Sequence, residues 1–211
     1  MSLESERREY TYGALSRNDL APSPFDQFSR WMDQALAAGI QDPTAMTLAT
    51  VDADGQPWQR IVLLKGFSEN GLVFYTNLKS RKGIEIAGNA KVSCHFPWLQ
   101  MDRQVIVAGT ATALPEETAR PYFDQRPRES QLAALVSRQS HPVASRSALE
   151  QLFQQAERDF QDKDIAMPDD WGGYLIKPVE WEFWQGGRFR LHDRFSYRSE
   201  DIVWEIQRLS P

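Results

Sequence analysis

The stretch MTLATVDADGQPWQRIVLLKGFSENGLVFYT, residues 46–76, decides the fold class. Met46, Leu48 and Thr50 alternate with Thr47, Ala49 and Val51, the two-residue period of a half-buried strand. Asp52-Ala53-Asp54-Gly55 reads as a turn, Gln59 to Lys65 as a second strand, Ser68-Glu69-Asn70-Gly71 as another turn, and Leu72 to Thr76 as a third strand. Strands this close, joined through Asp-Gly and Asn-Gly, form antiparallel hairpins.

Upstream, residues 1–22 carry charge with no apolar period and predict a mobile arm. Ser23-Pro24 then caps a helix whose apolar face is Phe25, Phe28, Met32, Ala35 and Leu36, stopped by Gly39. Downstream, Ser80 to Ala87 predicts a short helix, Val92 to Phe96 a strand, and Arg103 to Leu114 a long strand with a bulge at Gly109. Helical signals follow from Pro115, from Glu129 to Val136 and from Ser147 to Phe160. Strand signals return at Trp171 to Pro178, Glu180 to Trp184, Arg188 to Leu191 and Val203 to Leu209. Seven or eight antiparallel strands with inserted helices predict an α+β chain on a closed or nearly closed β-barrel, one domain over residues 23–211.

Composition narrows the function. The 211 residues are 41% hydrophobic and 25% charged, with a net charge of −5. That is an ordinary globular balance without the broad basic face of a nucleic-acid binder. No apolar run reaches the roughly 18 residues of a membrane span, and the charged start lacks the apolar core of a secretory signal. A single cysteine, Cys94, excludes an internal disulfide framework, and the expectation is a cytoplasmic protein. G-x-G-x-x-G, Walker, H-E-x-x-H and C-x-x-C motifs are missing, and three histidines with one cysteine predict no metal site.

Of the 24 basic residues 18 are arginine, which grips phosphate or carboxylate bidentately. Four groups concentrate this chemistry. Arg60 to Lys65 is a strand with a cation at each end, and Tyr75-Thr76-Asn77 runs into Ser80-Arg81-Lys82 at a helix start. Tyr122, Arg126, Arg128, Ser130, Arg138, Gln139, Ser140 and Arg146 form the third, and Trp184 to Arg194 packs three arginines and a histidine around a glycine turn. Two anion sites with aromatic neighbours suit a phosphorylated cofactor beside a phosphorylated substrate, and a flavin fits a barrel lacking a Rossmann unit.

The fragments RREY (7–10), DPTAM (42–46), QRIVLLK (59–65), VFYTN (73–77), SRK (80–82), FPW (96–98), RQV (103–105), YFDQRPRESQ (122–131), SRQS (137–140), FWQGG (183–187) and RLHDRF (190–195) resemble, in order, the pyridoxine (pyridoxamine) 5′-phosphate oxidase family. The resemblance spans nearly the whole chain. It implies an FMN-binding split antiparallel β-barrel with peripheral helices, forming a homodimer with FMN at the subunit interface. It also implies oxidation of pyridoxamine 5′-phosphate or pyridoxine 5′-phosphate to pyridoxal 5′-phosphate, with O2 as electron acceptor, releasing H2O2 and, from the amine, NH3.

Carried over by position, the flavin residues would be Arg60, Ile61, Val62, Leu63, Leu64, Lys65, Tyr75, Thr76, Arg81, Lys82, Gln104, Gln139, Ser140, Trp184 and Arg194. The substrate phosphate would meet Lys65, Tyr122, Arg126 and Ser130; Arg190, Leu191 and His192 would face the pyridine ring, with Arg190 and His192 catalytic. Arg7, Arg8, Glu9 and Tyr10 would form part of the lid. The alternatives are a non-catalytic FMN or pyridoxal phosphate binding protein, and a deazaflavin reductase or heme-handling protein, on the same barrel.

Overall fold

The computed structural model describes residues 4–5, 8–200 and 203–211, and its frame is one curled antiparallel sheet of nine strands. The strands are β1 (Ala45–Val51), β2 (Pro57–Leu63), β3 (Gly66–Ser68), β4 (Gly71–Asn77), β5 (Lys91–Trp98), β6 (Arg103–Ala113), β7 (Trp171–Gln185), β8 (Asp193–Glu200) and β9 (Val203–Leu209). They lie in the order β2-β1-β5-β6-β7-β4-β3, with β8 and then β9 added beside β7. Five helices decorate the sheet: α1 (Pro24–Ala37), α2 (Arg81–Gly88), α3 (Glu116–Asp124), α4 (Arg128–Val136) and α5 (Arg146–Asp159).

Helix α1 begins as its sequence dictates, with Ser23 Oγ accepting from the Phe25 N–H and Pro24 in the first turn. Its buried face is Phe25, Phe28, Trp31, Met32 and Ala35. Phe28 is fully buried, its ring 4.9–5.9 Å from those of Phe67, Phe96, Trp98 and Trp181. Truncating such a side chain to alanine costs about 3–5 kcal/mol. A second cluster, of Ala119, Phe123, Leu132, Ala156, Ile165, Met167 and Trp171, joins α3–α5 to the start of β7.

The barrel is split. β3 follows β2 directly and pairs with β4, but only over Gly71–Val73, and Lys65 N–H donates to Val73 O at 2.8 Å. Beyond that point β2 and β4 part. Among the described residues β1 is the sole sheet neighbour of β2, so the outer edge of β2 faces open space.

Several expected boundaries change. Trp171–Pro178 and Glu180–Trp184 are one strand, β7, with Gly109 opposite Pro178, Ala108 opposite Glu180 and Val179 bulged out between. Pro178 has no N–H to give the ladder, and Gly109 is needed because a Cβ there would lie 2.5 Å from Lys177 O. The strand expected at Arg188–Leu191 is instead a tight turn, with Phe189 and Arg190 at left-handed φ of 58° and 65°. The alternation of Arg188, Phe189, Arg190 and Leu191 suggested a strand, yet Phe189 and Leu191 are exposed and the strand proper, β8, starts at Asp193. β3 and β8 were not expected.

The stretch expected as an arm is docked on the barrel over residues 8–22. Leu15, Leu20 and Ala21 are buried, and Tyr197 OH donates to Ala21 O at 2.8 Å. Arg7 lies outside the described residues.

Candidate active site

The gap between β2 and β4 holds a cavity of about 560 Å³. Ile61, Val62, Leu63 and Lys65 line one side, Tyr75, Thr76 and Asn77 the other, and α3–α4 cover it with Tyr122, Arg126 and Ser130. Lys82, Gln139 and Trp171 complete it. Residues far apart in sequence and assigned to two different phosphates therefore meet in one space.

Its aromatic wall is stacked. Tyr75 and Trp171 lie 5.4 Å apart and nearly parallel, and Tyr122 continues the stack. The Arg126 guanidinium sits over the Trp171 ring at 5.1 Å, and its Nη1 is buried with no hydrogen-bond partner. Burial pulls the Arg126 pKa below its ordinary value. A buried guanidinium N–H without an acceptor is costly, and an oxyanion bound beside it would supply one.

Lys82 lies deeper. Its Nζ donates to Thr76 Oγ1 (2.8 Å), Ser80 Oγ (3.0 Å) and Gln139 Oε1 (2.6 Å), all neutral acceptors. Burial, and then the charge of Arg60, push its pKa down to about 8. A buried ammonium held by neutral groups is a receptor for an anion. The unpaired edge of β2 offers backbone donors and acceptors to a planar heterocycle, so the residues present fit a flavin mononucleotide.

Other expected flavin residues stand elsewhere. Arg60 is held by Glu85 at 3.0 Å and by Thr50 Oγ1, which in turn donates to Glu85. Leu64 is buried in the barrel core, its N–H donating to Thr44 O. Arg81, 4.1 Å over the Trp58 ring, and Ser140 line a neighbouring cavity of about 930 Å³.

Gln104, Trp184, Arg190, Leu191, His192 and Arg194 do not line the cavity. Gln104 pairs with Trp184 across β6–β7 and binds His95 Nε2 at 3.0 Å. Trp184, His192 and Tyr10 form an aromatic knot with centroids 4.6–5.6 Å apart, and Arg190 and Arg8 lie over the Tyr10 ring at 5.5 and 4.8 Å. Glu9 and Leu191 are exposed. Arg194 is gripped by both oxygens of Glu182.

Gly187 N–H donates to His192 Nδ1 at 3.1 Å, which leaves the proton of a neutral imidazole on Nε2. Burial, Arg190 and Arg194 lower the His192 pKa, favouring that neutral form. Trp171 and Trp184 are 13 positions apart on β7, roughly 40 Å of extended strand, so one chain keeps the knot and the cavity apart.

Sequence reading named Asn77 only as part of the Tyr75-Thr76-Asn77 group and missed Trp171, whose part in the wall depends on strands and helices meeting in space, and Pro127, Ala133, Ala134 and Ser137, which also line the cavity. The RPRxS spacing pointed toward the α4 residues; nothing local marked Trp171. Among the described residues no cluster of three His, Cys, Asp or Glu side chains is placed to hold a metal, and no helix is long and apolar enough to cross a membrane.

Residues 32–158 match the family model for pyridoxamine 5′-phosphate oxidase, and residues 171–211 match the pyridoxine 5′-phosphate oxidase C-terminal dimerisation region. A pyridoxine/pyridoxamine 5′-phosphate oxidase of Teredinibacter turnerae is 54% identical over 211 residues, covering 100% of both chains. One from Pseudoalteromonas translucida is 53% identical over 212 residues, again covering both fully. Among solved structures, PhzG from Burkholderia lata, in complex with tetrahydrophenazine-1-carboxylic acid, superposes with a TM-score of 0.88 at 26% identity, covering 94% of this chain and 98% of that one. An FMN binding protein from Nostoc punctiforme, 17% identical with a TM-score of 0.71 over 91% of this chain and all of that one, shares the fold. The chain belongs to the pyridoxamine 5′-phosphate oxidase family.

Proposed function

We propose that the protein is an FMN-dependent oxidase that converts pyridoxamine 5′-phosphate or pyridoxine 5′-phosphate to pyridoxal 5′-phosphate, acting as a homodimer. The observation that carries this reading is the unpartnered Arg126 Nη1 in a cavity that also holds the buried Lys82 ammonium: two anion receptors in one space.

Lys82, with Thr76 and Gln139, would hold the FMN phosphate side, and the free edge of β2 at Ile61–Leu63 the ring. Arg126, Lys65, Ser130 and Tyr122 would hold the substrate phosphate. FMN, when bound, supplies the two-electron acceptor, and dioxygen takes those electrons on as hydrogen peroxide. The alcohol needs only dioxygen; the amine also consumes water and releases ammonia.

Phosphate binding remote from the reacting carbon supplies the free energy of alignment. Tyr75, Tyr122 and Trp171 exclude water from one side of the cavity. Arg190 and His192 belong to the aromatic knot, in the region matching the dimerisation model, and we place them over the pyridine ring of the partner's site. There Arg190 would offer its guanidinium to the ring, and neutral His192 would keep its proton on Nε2 as a donor to the C4′ substituent. Each interface would then carry two flavins.

Mixing FMN-loaded protein with pyridoxamine 5′-phosphate in air tests the reading. Aldehyde and peroxide in equal amounts are expected; tight ligand binding without either product would favour a carrier instead.

A further inference from the structure

The turn between β5 and β6 ends at Asp102, a residue the chemistry above does not use. Its backbone is left-handed (φ 51°, ψ 37°), a conformation Asp and Asn tolerate better than most residues. Its carboxylate is buried and points at the N-terminal segment. Arg8 Nη1 pairs with Oδ1 at 2.6 Å, and the N–H groups of Thr11 and Tyr12 point at Oδ2 from 3.1 and 3.3 Å. Arg8 Nη2 also donates to Leu99 O at 3.0 Å.

The same residue reaches the other way. Asp102 O accepts from Gly186 N–H at 2.7 Å and from Gln185 Nε2 at 3.2 Å. Gln185 and Gly186 directly follow Trp184. One residue thus fixes both halves of the aromatic knot: its carboxylate holds the segment carrying Tyr10, and its carbonyl holds the turn carrying Trp184 and leading to His192. Gly186 is bare at this seam, because a Cβ there would lie 2.8 Å from the Tyr10 ring.

We propose that Asp102 is a positioning residue that latches residues 8–12 against the Trp184–His192 turn, so that Tyr10 seats on His192 and closes over the bound B6 phosphate ester. This rests on the oxidase reading for its effect on turnover, while the latch itself does not.

Asp102→Asn keeps the shape and the left-handed backbone but removes the charge that pairs with Arg8 and strengthens the two N–H bonds. In the FMN-loaded protein it is expected to raise KM for pyridoxamine 5′-phosphate about five- to tenfold, the loss of one charged latch, with kcat within about twofold and FMN affinity unchanged. Chymotrypsin cleavage after Tyr10 or Tyr12 should quicken by about the same factor, as the segment releases. Arg8→Ala should release the segment in the same assay, and it carries the test should Asp102→Asn fail to fold.

Unchanged KM and cleavage in Asp102→Asn would overturn the proposal, as would a KM increase with cleavage unchanged. If the parent protein turns over no B6 phosphate, the oxidase reading falls, and the cleavage comparison still decides the latch.

Discussion

Tyr75 and Tyr122 stack face to face, with ring centroids 4.0 Å apart and planes 10° from parallel. One ring comes from β4 and the other from α3, so the stack ties the sheet to the helices that cover the cavity. Directly across the ladder from Tyr75 stands Gly173, where a Cβ would lie 2.7 Å from the Tyr75 ring. Gly173→Ala should tilt Tyr75 off its partner and cost about 1–3 kcal/mol by overpacking. A melting temperature lowered by roughly 2–12 °C, with weakened FMN binding, is the expected result; an unchanged melt would show that the ring yields freely.

Arg126 offers a test of substrate capture. Arg126→Ala should raise KM for pyridoxamine 5′-phosphate at least about tenfold, as loss of a charged phosphate contact predicts, while FMN stays bound. Arg126→Lys should recover only part of this, since an ammonium on a flexible stem lacks the fork that lies on Trp171. A normal KM in the alanine variant would remove Arg126 from the phosphate site.

Lys82 predicts a pH dependence. Its pKa falls to about 8 in the folded apoprotein from the ordinary 10.5, so the unfolded chain holds more protons between those values. Lys82 therefore favours folding most above pH 10.5, and that contribution is lost as pH falls through about 8. A phosphate bound beside it favours the charged form. FMN affinity should thus decline as pH rises above about 8, with proton uptake on binding, measurable by flavin fluorescence and calorimetry in two buffers. Lys82→Met should bind FMN more weakly and flatten the profile; a wild-type affinity level from pH 7 to 10 would contradict the placement.

Sharing of sites between subunits can be read from mixed dimers. Arg126→Ala and Arg190→Ala lie in different clusters, so at substrate far below the variants' KM a random mixture of the two impaired chains should regain about a quarter of the parent's intact sites, since half the dimers are mixed and each has one intact site. No recovery on mixing, with exchange verified by mass, would place both residues in one chain's site.

Much of this architecture was legible. β1 alternates cleanly, and the turns beside β1, β2 and β4 carry Asp-Gly and Asn-Gly, so local chemistry agrees with the tertiary outcome. β3 was hidden because its three residues follow β2 with no turn between them. β8 was hidden because its buried aromatic residues, Phe195 and Tyr197, are interspersed with arginine and serine. The cavity's cations were visible as phosphate-binding chemistry, but that Arg60 answers to Glu85, and that Trp171 carries Arg126, follows from contacts across 25 and 45 positions that no local pattern encodes.

The length of β7 has a further consequence. With Trp171 at one end and the Trp184 knot at the other, an isolated subunit would hold two separate half-sites if sites are shared between subunits. Under the shared-site reading, dilution would then separate working pairs into inert singles. Output per molecule would fall with concentration, making the supply of the aldehyde vitamer respond more steeply than linearly to how much of this polypeptide a cell makes.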